Sequence, residues 1–384
     1  MNRTRLLNII LTIVAVLAVV FFFNNPFRNS DYEAWSEEVS YTDYQTALGI
    51  LESTLDNPRN TYFDYLEDVE LEYELPSTSA TLVEGISPEK LGYSGDVASL
   101  STDEIAKYNV TVTESGYYTI DLDYIVTGQV LNNITMGVKI NGAFLFDDAQ
   151  TIDVPLYWKD QSKEFGVDTY GDQTLPRQEQ LEEWRPLALF NNTYTSNEPL
   201  LFYFEEGLNT IEFENVSSGD LKLGNLVLSA SVYIPTYEEY SSMYNSQASP
   251  TNLFINATEY VEKNSSYVRL LAFGDPSVTP YDDVYKKLNV IDGEAWYKAG
   301  QEVTFEVTVE EDGMYDLTMH YANYKTDFDV FRSIKVDGEI PFREFASYAM
   351  PYTPTNWDNH SLADDDGNNY EIFLTAGTHQ VTIR

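Results

Sequence analysis

From about Glu70 onward, apolar and polar residues alternate in short runs separated by Gly, Asn, Asp and Pro. YNVTVTESGYYTIDLDYIV (108–126), GVKING (137–142), LLFYFEEGLNTIEF (200–213) and DLKLGNLVLSAS (220–231) show the pattern. Period-two alternation with turn residues between runs predicts strands of a β-sandwich. The N-terminal part reads differently. Across Ser40–Leu55, Tyr44, Ala47, Leu48, Leu51 and Leu55 recur at spacings of three and four, which predicts one face of a helix. Before it, the apolar run Leu6–Phe23 follows Arg3 and Arg5. As a helix it spans about 27 Å, close to the hydrocarbon core of a bilayer. The arginines orient it with the remainder of the chain outside the cytoplasm. A cleaved signal peptide is the alternative, although FFFNNPFRNS (21–30) offers no small-x-small cleavage site.

The strand pattern occurs twice. VTVTESGYYTIDLDY (110–124) aligns with VTVEEDGMYDLTMHY (307–321), KINGAFLF (139–146) with KVDGEIPF (335–342), and FYFEEGLNTIEF (202–213) with IFLTAGTHQVTI (372–383). The first copy has a longer connection before its last matching segment, including FGVDTYGDQTLPRQEQLEEW (165–184). Asn141-Gly142 and Asp337-Gly338 predict type I′ hairpin turns. Gly116 and Gly313 are expected to take positive φ before an ascending strand. The expected division is a membrane anchor or signal (1–30), a juxtamembrane helical segment (31–75), a first sandwich (76–238), a linker (239–252) and a second sandwich (253–384). In the first copy a further strand follows Asn209–Glu214, while the second stops at Arg384. The expectation is a fragment of a longer protein, its second sandwich lacking a strand and exposing an unpaired edge.

Charge narrows the function classes. Lys and Arg number 22 against 62 Asp and Glu, a formal charge of −40, which disfavours nucleic-acid partners. With no cysteine there is no disulfide, Cys-ligated zinc or thiol nucleophile, and three histidines do not suggest a multi-His metal centre. No nucleophile motif or phosphate-binding glycine loop occurs, and carboxylate pairs carry little information among so many acids. The expectation is therefore a non-enzyme.

LNVIDGEAWYKAGQEVTFEVTVEEDGMYDL (288–317), RSIKVDGEIPF (332–342) and YEIFLTAGTHQV (370–381) resemble the carbohydrate-binding-module-like sandwiches near the N-terminus of a bacterial family. These are the large extracellular substrate-binding proteins of carbohydrate ABC transporters. GDQTLPRQEQLEEW (171–184), EPLLFYFEEGLNTIEF (198–213) and VYIPTYEEY (232–240) are similar to the preceding domain of the same family. Both copies resemble galactose-binding-like jelly rolls more distantly. The resemblance, over roughly residues 31–384, implies a mainly β protein of two tandem jelly-roll sandwiches. It also implies poly- or oligosaccharide as ligand and an ABC-transporter permease as partner. The family's bilobal solute-binding portion and its lipid-anchoring cysteine are absent from this sequence.

Aromatic rings stack on the apolar faces of sugars. The candidates are Tyr157, Trp158, Tyr170 and Trp184 in the first copy, and Trp296, Tyr352 and Trp357 in the second. Each Trp has core or loop packing as its alternative. The oxygen-rich string ADDDGNNY (363–370) offers Asp364, Asp366 and Asn368 as Ca²⁺ ligands, with a solvated acidic hairpin loop as the alternative. A structural spacer of the cell envelope and an accessory region of a polysaccharide hydrolase are rival readings.

Overall fold

A computed structural model describes residues 61–66, 69–102, 104–194, 196–244, 251–324, 328–353 and 356–384. They belong to one compact unit, Asn60–Arg384. The apolar run Leu6–Phe23 and the helical segment Ser40–Leu55 lie outside the described residues. Among the described residues no helix is long and apolar enough to cross a membrane.

Alternation in the sequence becomes two facing sheets. In the first sandwich the long strand Gly116–Thr127 pairs with Asp220–Ala230 along one edge. Along its other edge it pairs with Leu201–Phe204 and Arg185–Ala188. The opposing sheet centres on Gly207–Asn215, which lies between Ile105–Val112 and Ile134–Ile140. Alternate residues turn inward: Tyr118, Ile120, Leu122 and Tyr124 are at most 3% exposed, as are Leu221, Leu223, Leu226 and Leu228. Each such side chain contributes roughly 1.5–3 kcal/mol of burial. The leucine spacing slips by one residue between Leu223 and Leu226, where the register with 116–127 shifts. That bulge keeps both leucine pairs in the core, and the Tyr93 hydroxyl accepts the N–H of Asn225 at 2.9 Å.

The second sandwich repeats the plan. Gly377–Ile383 lies between Val303–Val309 and Ile334–Val336. Opposite it, Gly313–Asp316 pairs with Glu371–Leu374, and Thr318–Tyr321 with Asp358–Ser361. The hairpins form as expected, with φ of 53° and 84° at Asn141-Gly142 and 52° and 89° at Asp337-Gly338. The expectation for Gly116 and Gly313 fails, since neither has positive φ. At Gly116 the constraint is space, because a Cβ would lie 2.7 Å from Leu75.

Each sandwich begins with a short helix, α1 (Tyr62–Tyr65) and α2 (Tyr237–Ser242). Their sequences TYFDY and TYEEY are a repeat that strand periodicity does not reveal. Thr61 with Asp64, and Thr236 with Glu239, close reciprocal capping boxes. The Tyr62 and Tyr65 hydroxyls accept the N–H groups of Leu201 (2.9 Å) and Tyr203 (2.6 Å) on an otherwise open strand edge. Tyr237 and Tyr240 do the same for Glu371 (3.0 Å) and Phe373 (2.9 Å). The rings pack at 5.0 Å on Phe146 and Phe342 respectively. The boundaries expected at 75/76 and 238/239 therefore fall elsewhere: α1 is part of the first sandwich, and Tyr240, placed in the expected linker, is buried in the second core.

The two sandwiches share a sheet. Trp158–Asp160 and Gln178–Gln180, from the long connection of the first copy, form a hairpin. It extends the second copy's sheet, with Trp158 opposite Lys263 of the Glu262–Lys263 strand. Arg185 clasps Glu262 through two hydrogen bonds of 2.9 and 2.7 Å, and the Tyr260 hydroxyl donates to Asp160 at 2.7 Å. Lys263, fully buried at this junction, donates to the Val268 carbonyl. Burial pulls its ammonium down to about 8, against a smaller opposing pull from Asp160.

Two outcomes follow from these contacts. Tyr62→Phe strands the N–H of buried Leu201 and is expected to cost about 1–2 kcal/mol in urea unfolding. An unchanged midpoint would remove the hydroxyl's role as an edge cap. Lys263 binds its proton more tightly in the unfolded chain, so its contribution to stability rises with pH from about 8 toward 10.5. The wild-type midpoint should therefore gain on that of Lys263→Met between pH 7.5 and 9.5, and parallel pH profiles would refute the assignment.

Candidate functional site

The shared sheet carries loop 165–174 of the first sandwich against loop 272–289 of the second. Loop 165–174 is held by its own turn: the Asp168 carboxylate accepts the N–H groups of Tyr170 (2.8 Å) and Asp172 (3.1 Å). Gly171 has φ of +89°, and a Cβ there would lie 2.6 Å from the Tyr285 ring. Only glycine permits this turn to rest on Tyr285. The backbones then interlock. Asp172 accepts the Lys286 N–H (2.9 Å), Gln173 donates its N–H to the Lys286 carbonyl (3.0 Å), and the Gln173 side chain accepts the Leu288 N–H (2.8 Å).

Loop 272–289 encloses a cleft of about 250 Å³, whose lining includes Phe273, Tyr281, Asp282, Tyr285, Lys287 and Asn289. Buried Asn289 organises it, accepting the Phe273 N–H (2.8 Å) and donating to the carbonyls of Phe273 (3.0 Å) and Pro280 (2.9 Å). Tyr281 and Tyr285 are 40% and 44% exposed. Tyr170, next in the chain to Gly171, is 82% exposed. Lys287 lies 6.0 Å over the Tyr285 ring and 3.9 Å from Asp282. The Asp282 carboxylate accepts the N–H groups of Val284 and Tyr285, which hold it below the usual carboxylate range. A hydrogen bond to Asp283 raises the Tyr281 hydroxyl. The cleft thus offers aromatic faces flanked by fixed acceptors and ammonium donors.

Of the residues singled out from the sequence none lines this cleft; Tyr170 precedes Gly171, which rests on Tyr285. Trp158 is 5% exposed in the core, as the inward residue of the shared hairpin, so its face is closed to ligand. Trp184 is half-buried elsewhere, its ring 4.3 Å from Tyr93 and its Nε1 donating to the Leu91 carbonyl at 3.2 Å. Trp357 packs behind the cleft wall, 5.3 Å from Phe273 and stacked 5.4 Å from His320, which covers one face. Tyr352 is half-buried in the turn after Tyr348–Met350, its N–H donating to Asp329 at 3.0 Å, and does not line the cleft. Trp296 lies under the Arg332 guanidinium at 4.3 Å, and Tyr157 under that of Arg185 at 4.2 Å. Phe273, Tyr281, Tyr285 and Asn289 were missed. Their signal is the string TPYDDVYKKLN (279–289), which mixes rings with both charges between two strands.

The residues expected as Ca²⁺ ligands lie together in one hairpin turn. Asp364 accepts the N–H groups of Asp366 (3.0 Å) and Asn368 (2.8 Å), and the Asn368 amide at 2.9 Å. Its carboxylate closes a hairpin turn around Gly367 instead of facing a cation with Asp366 and Asn368. Those bonds, led by the Asn368 amide, lower its pKa. Among the described residues no group of three or more His, Cys, Asp or Glu is placed to hold a metal.

No protein-family model matches the chain, and no curated protein matches it. Solved structures do. A family 35 carbohydrate binding module from Clostridium thermocellum matches at 15% identity and a TM-score of 0.25, over 40% of this chain and 99% of the module. One from Cellvibrio japonicus matches at 15% and 0.25, over 42% of this chain and 95% of the module. A ruminal GH26 endo-beta-1,4-mannanase matches at 13% and 0.24, over 48% of this chain and 31% of the enzyme. Likeness at this level does not identify a ligand for this chain, whose mainly β architecture stands on its own strands.

Proposed function

We propose that this chain binds carbohydrate without transforming it, through the cleft enclosed by loop 272–289, against which loop 165–174 packs. The observation behind this reading is the pair of part-exposed rings, Tyr281 and Tyr285, on a cleft also lined by Asp282 and Lys287, whose backbone the buried Asn289 holds in place. Sugars present C–H faces to rings and hydroxyls to such groups. A glycosidase needs a carboxylic acid with a raised pKa, and Asp282 is shifted the other way. The net charge of −40 favours neutral over anionic glycans. In the cell, the apolar run Leu6–Phe23 would hold the module at the outer face of the membrane, delivering polysaccharide to a sugar ABC transporter and its permease.

Affinity electrophoresis of the full chain through gels containing neutral mannan, glucan or xylan tests this. At least one polysaccharide should retard the wild type. Tyr281→Ala and Tyr285→Ala should each weaken retardation by roughly tenfold, the loss of one stacked ring. Unchanged retardation in both variants would move the site elsewhere. No retardation by any glycan would sink carbohydrate binding and leave the rigid, shared-sheet pair as an envelope spacer.

A further inference from the structure

The two sandwiches close the same corner with different chemistry. In each, an Asn-Gly or Asp-Gly hairpin meets the turn that leads into the central strand of a sheet. In the first, the Asn141 amide accepts the Thr210 N–H (2.9 Å) through Oδ1 and donates through Nδ2 to Asn209 (2.9 Å). Asn209 donates in turn to the Glu205 carbonyl at 2.7 Å. Each position has its counterpart in the second. Asp337 accepts the Gln380 N–H (2.8 Å) through Oδ1, and its Oδ2 lies 2.7 Å from Nδ1 of His379. Nε2 of His379 lies 2.8 Å from the Thr375 carbonyl. An amide pair in one copy is thus a carboxylate–imidazole pair in the other. A backbone carbonyl only accepts, and so does an ionised carboxylate. Both ring nitrogens must therefore carry a proton for both contacts to form, which makes the ring an imidazolium. The His379 side chain is only 12% exposed, so water does not readily replace either partner.

We propose that the second proton of His379 is a pH-sensitive clasp on the second sandwich: while it is bound, the ring ties the 336–339 hairpin to the turn 374–377, and its loss as pH rises releases them. The first sandwich, with amides at the same places, stays closed throughout. The hydrogen bond to Asp337, then that to Thr375, raises the imidazole above its ordinary 6.5, against a smaller effect of burial. The clasp therefore contributes fully below about 6.5 and is lost as pH rises through the folded-state value. After deprotonation one ring nitrogen turns a lone pair toward an oxygen acceptor, and that contact fails. The neighbouring charges are engaged elsewhere. Val307 lies opposite His379 on the 303–309 strand, with Glu306 on the other face. Lys335, on the 334–336 strand, is held by Glu302 at 2.6 Å, and Glu339 in the hairpin is exposed. Asp312 accepts the Ala376 N–H at 2.7 Å. Asp337 is the charged group that meets the ring. The proposal is independent of the carbohydrate reading.

Hydrogen exchange of the full chain between about pH 5.5 and 9, corrected for the intrinsic rate, reads the clasp locally. A local readout is needed because Lys263 acts on overall stability in the opposite sense. Protection of the Asp337 and Gln380 N–H groups should fall by roughly tenfold as His379 titrates, while the matching Asn141 and Thr210 groups keep theirs. The His379 ring signal in NMR, assigned by its loss in His379→Asn, should titrate above 6.5 and in step with that fall. Asp337→Asn combined with His379→Asn installs the first copy's amide pair and should flatten the profile with the hairpin closed. The wild-type profile decides the question if that variant does not fold. Constant protection at Gln380 across the range would overturn the proposal, as would titration of His379 at or below 6.5. So would an equal fall at Thr210, which would mark a general loosening of the chain.

Discussion

The pairing of Trp158–Asp160 with Glu262–Lys263 is the contact on which the candidate site depends. It takes a hairpin from one sandwich and makes it the outer strands of the other's sheet. Backbone hydrogen bonds fix the hairpin's height and direction, and the burial of Trp158 and Lys263 fixes its face. The loop at its tip then meets the loop of the second sandwich at a set distance, and Gly171 settles on Tyr285. Without that pairing, loop 165–174 would be a surface excursion and the cleft would lack its neighbouring rim.

Burying Lys263 there carries a cost that the geometry partly offsets. The ammonium is removed from water but keeps the Val268 carbonyl and lies 5.3 Å over the Tyr260 ring. The Gln178 amide, turned with its oxygen inward, adds an acceptor at 2.5 Å. Asp160 is close, yet one of its buried oxygens has no hydrogen-bond partner. An incompletely satisfied polar cluster of this kind contributes more to register than to stability. A slip of the hairpin by one residue would turn Trp158 to solvent and remove the acceptors around Lys263.

How much of this was legible follows from the range of the forces involved. Turn chemistry is local, so Asn141-Gly142 and Asp337-Gly338 announce their hairpins, and alternation announces both sandwiches. Partnership between distant segments is not local. Trp158 lies in a short run without evident periodicity, and its strand partner, Lys263, is far along the chain. Likewise Asp364 resembles a cation ligand in composition, and the sequence does not reveal that its Oδ1 accepts the backbone N–H groups of Asp366 and Asn368 and closes the turn. The tyrosines of α1 and α2 escaped notice because the helices have only four and six residues, under two turns each and too short for a helical period. Their role lies in hydroxyls reaching a strand more than a hundred residues away.

The shared sheet also changes what two copies of a module mean. Two binding modules on a flexible linker gain through effective concentration, each keeping its own site. Here the second module's cleft is bordered by the first module's loop, and Arg185–Glu262 and Tyr260–Asp160 lock the two together. The duplication therefore yields a cleft on one copy whose loop is braced by the other. The first copy's counterpart of this arrangement is absent because the long connection belongs to that copy alone. Separating the sandwiches would expose Lys263 and Trp158 and remove the support under Tyr285. The setting of this cleft is thus a property of the pair, because the 165–184 insertion that distinguishes one copy from the other packs against the loop that forms it.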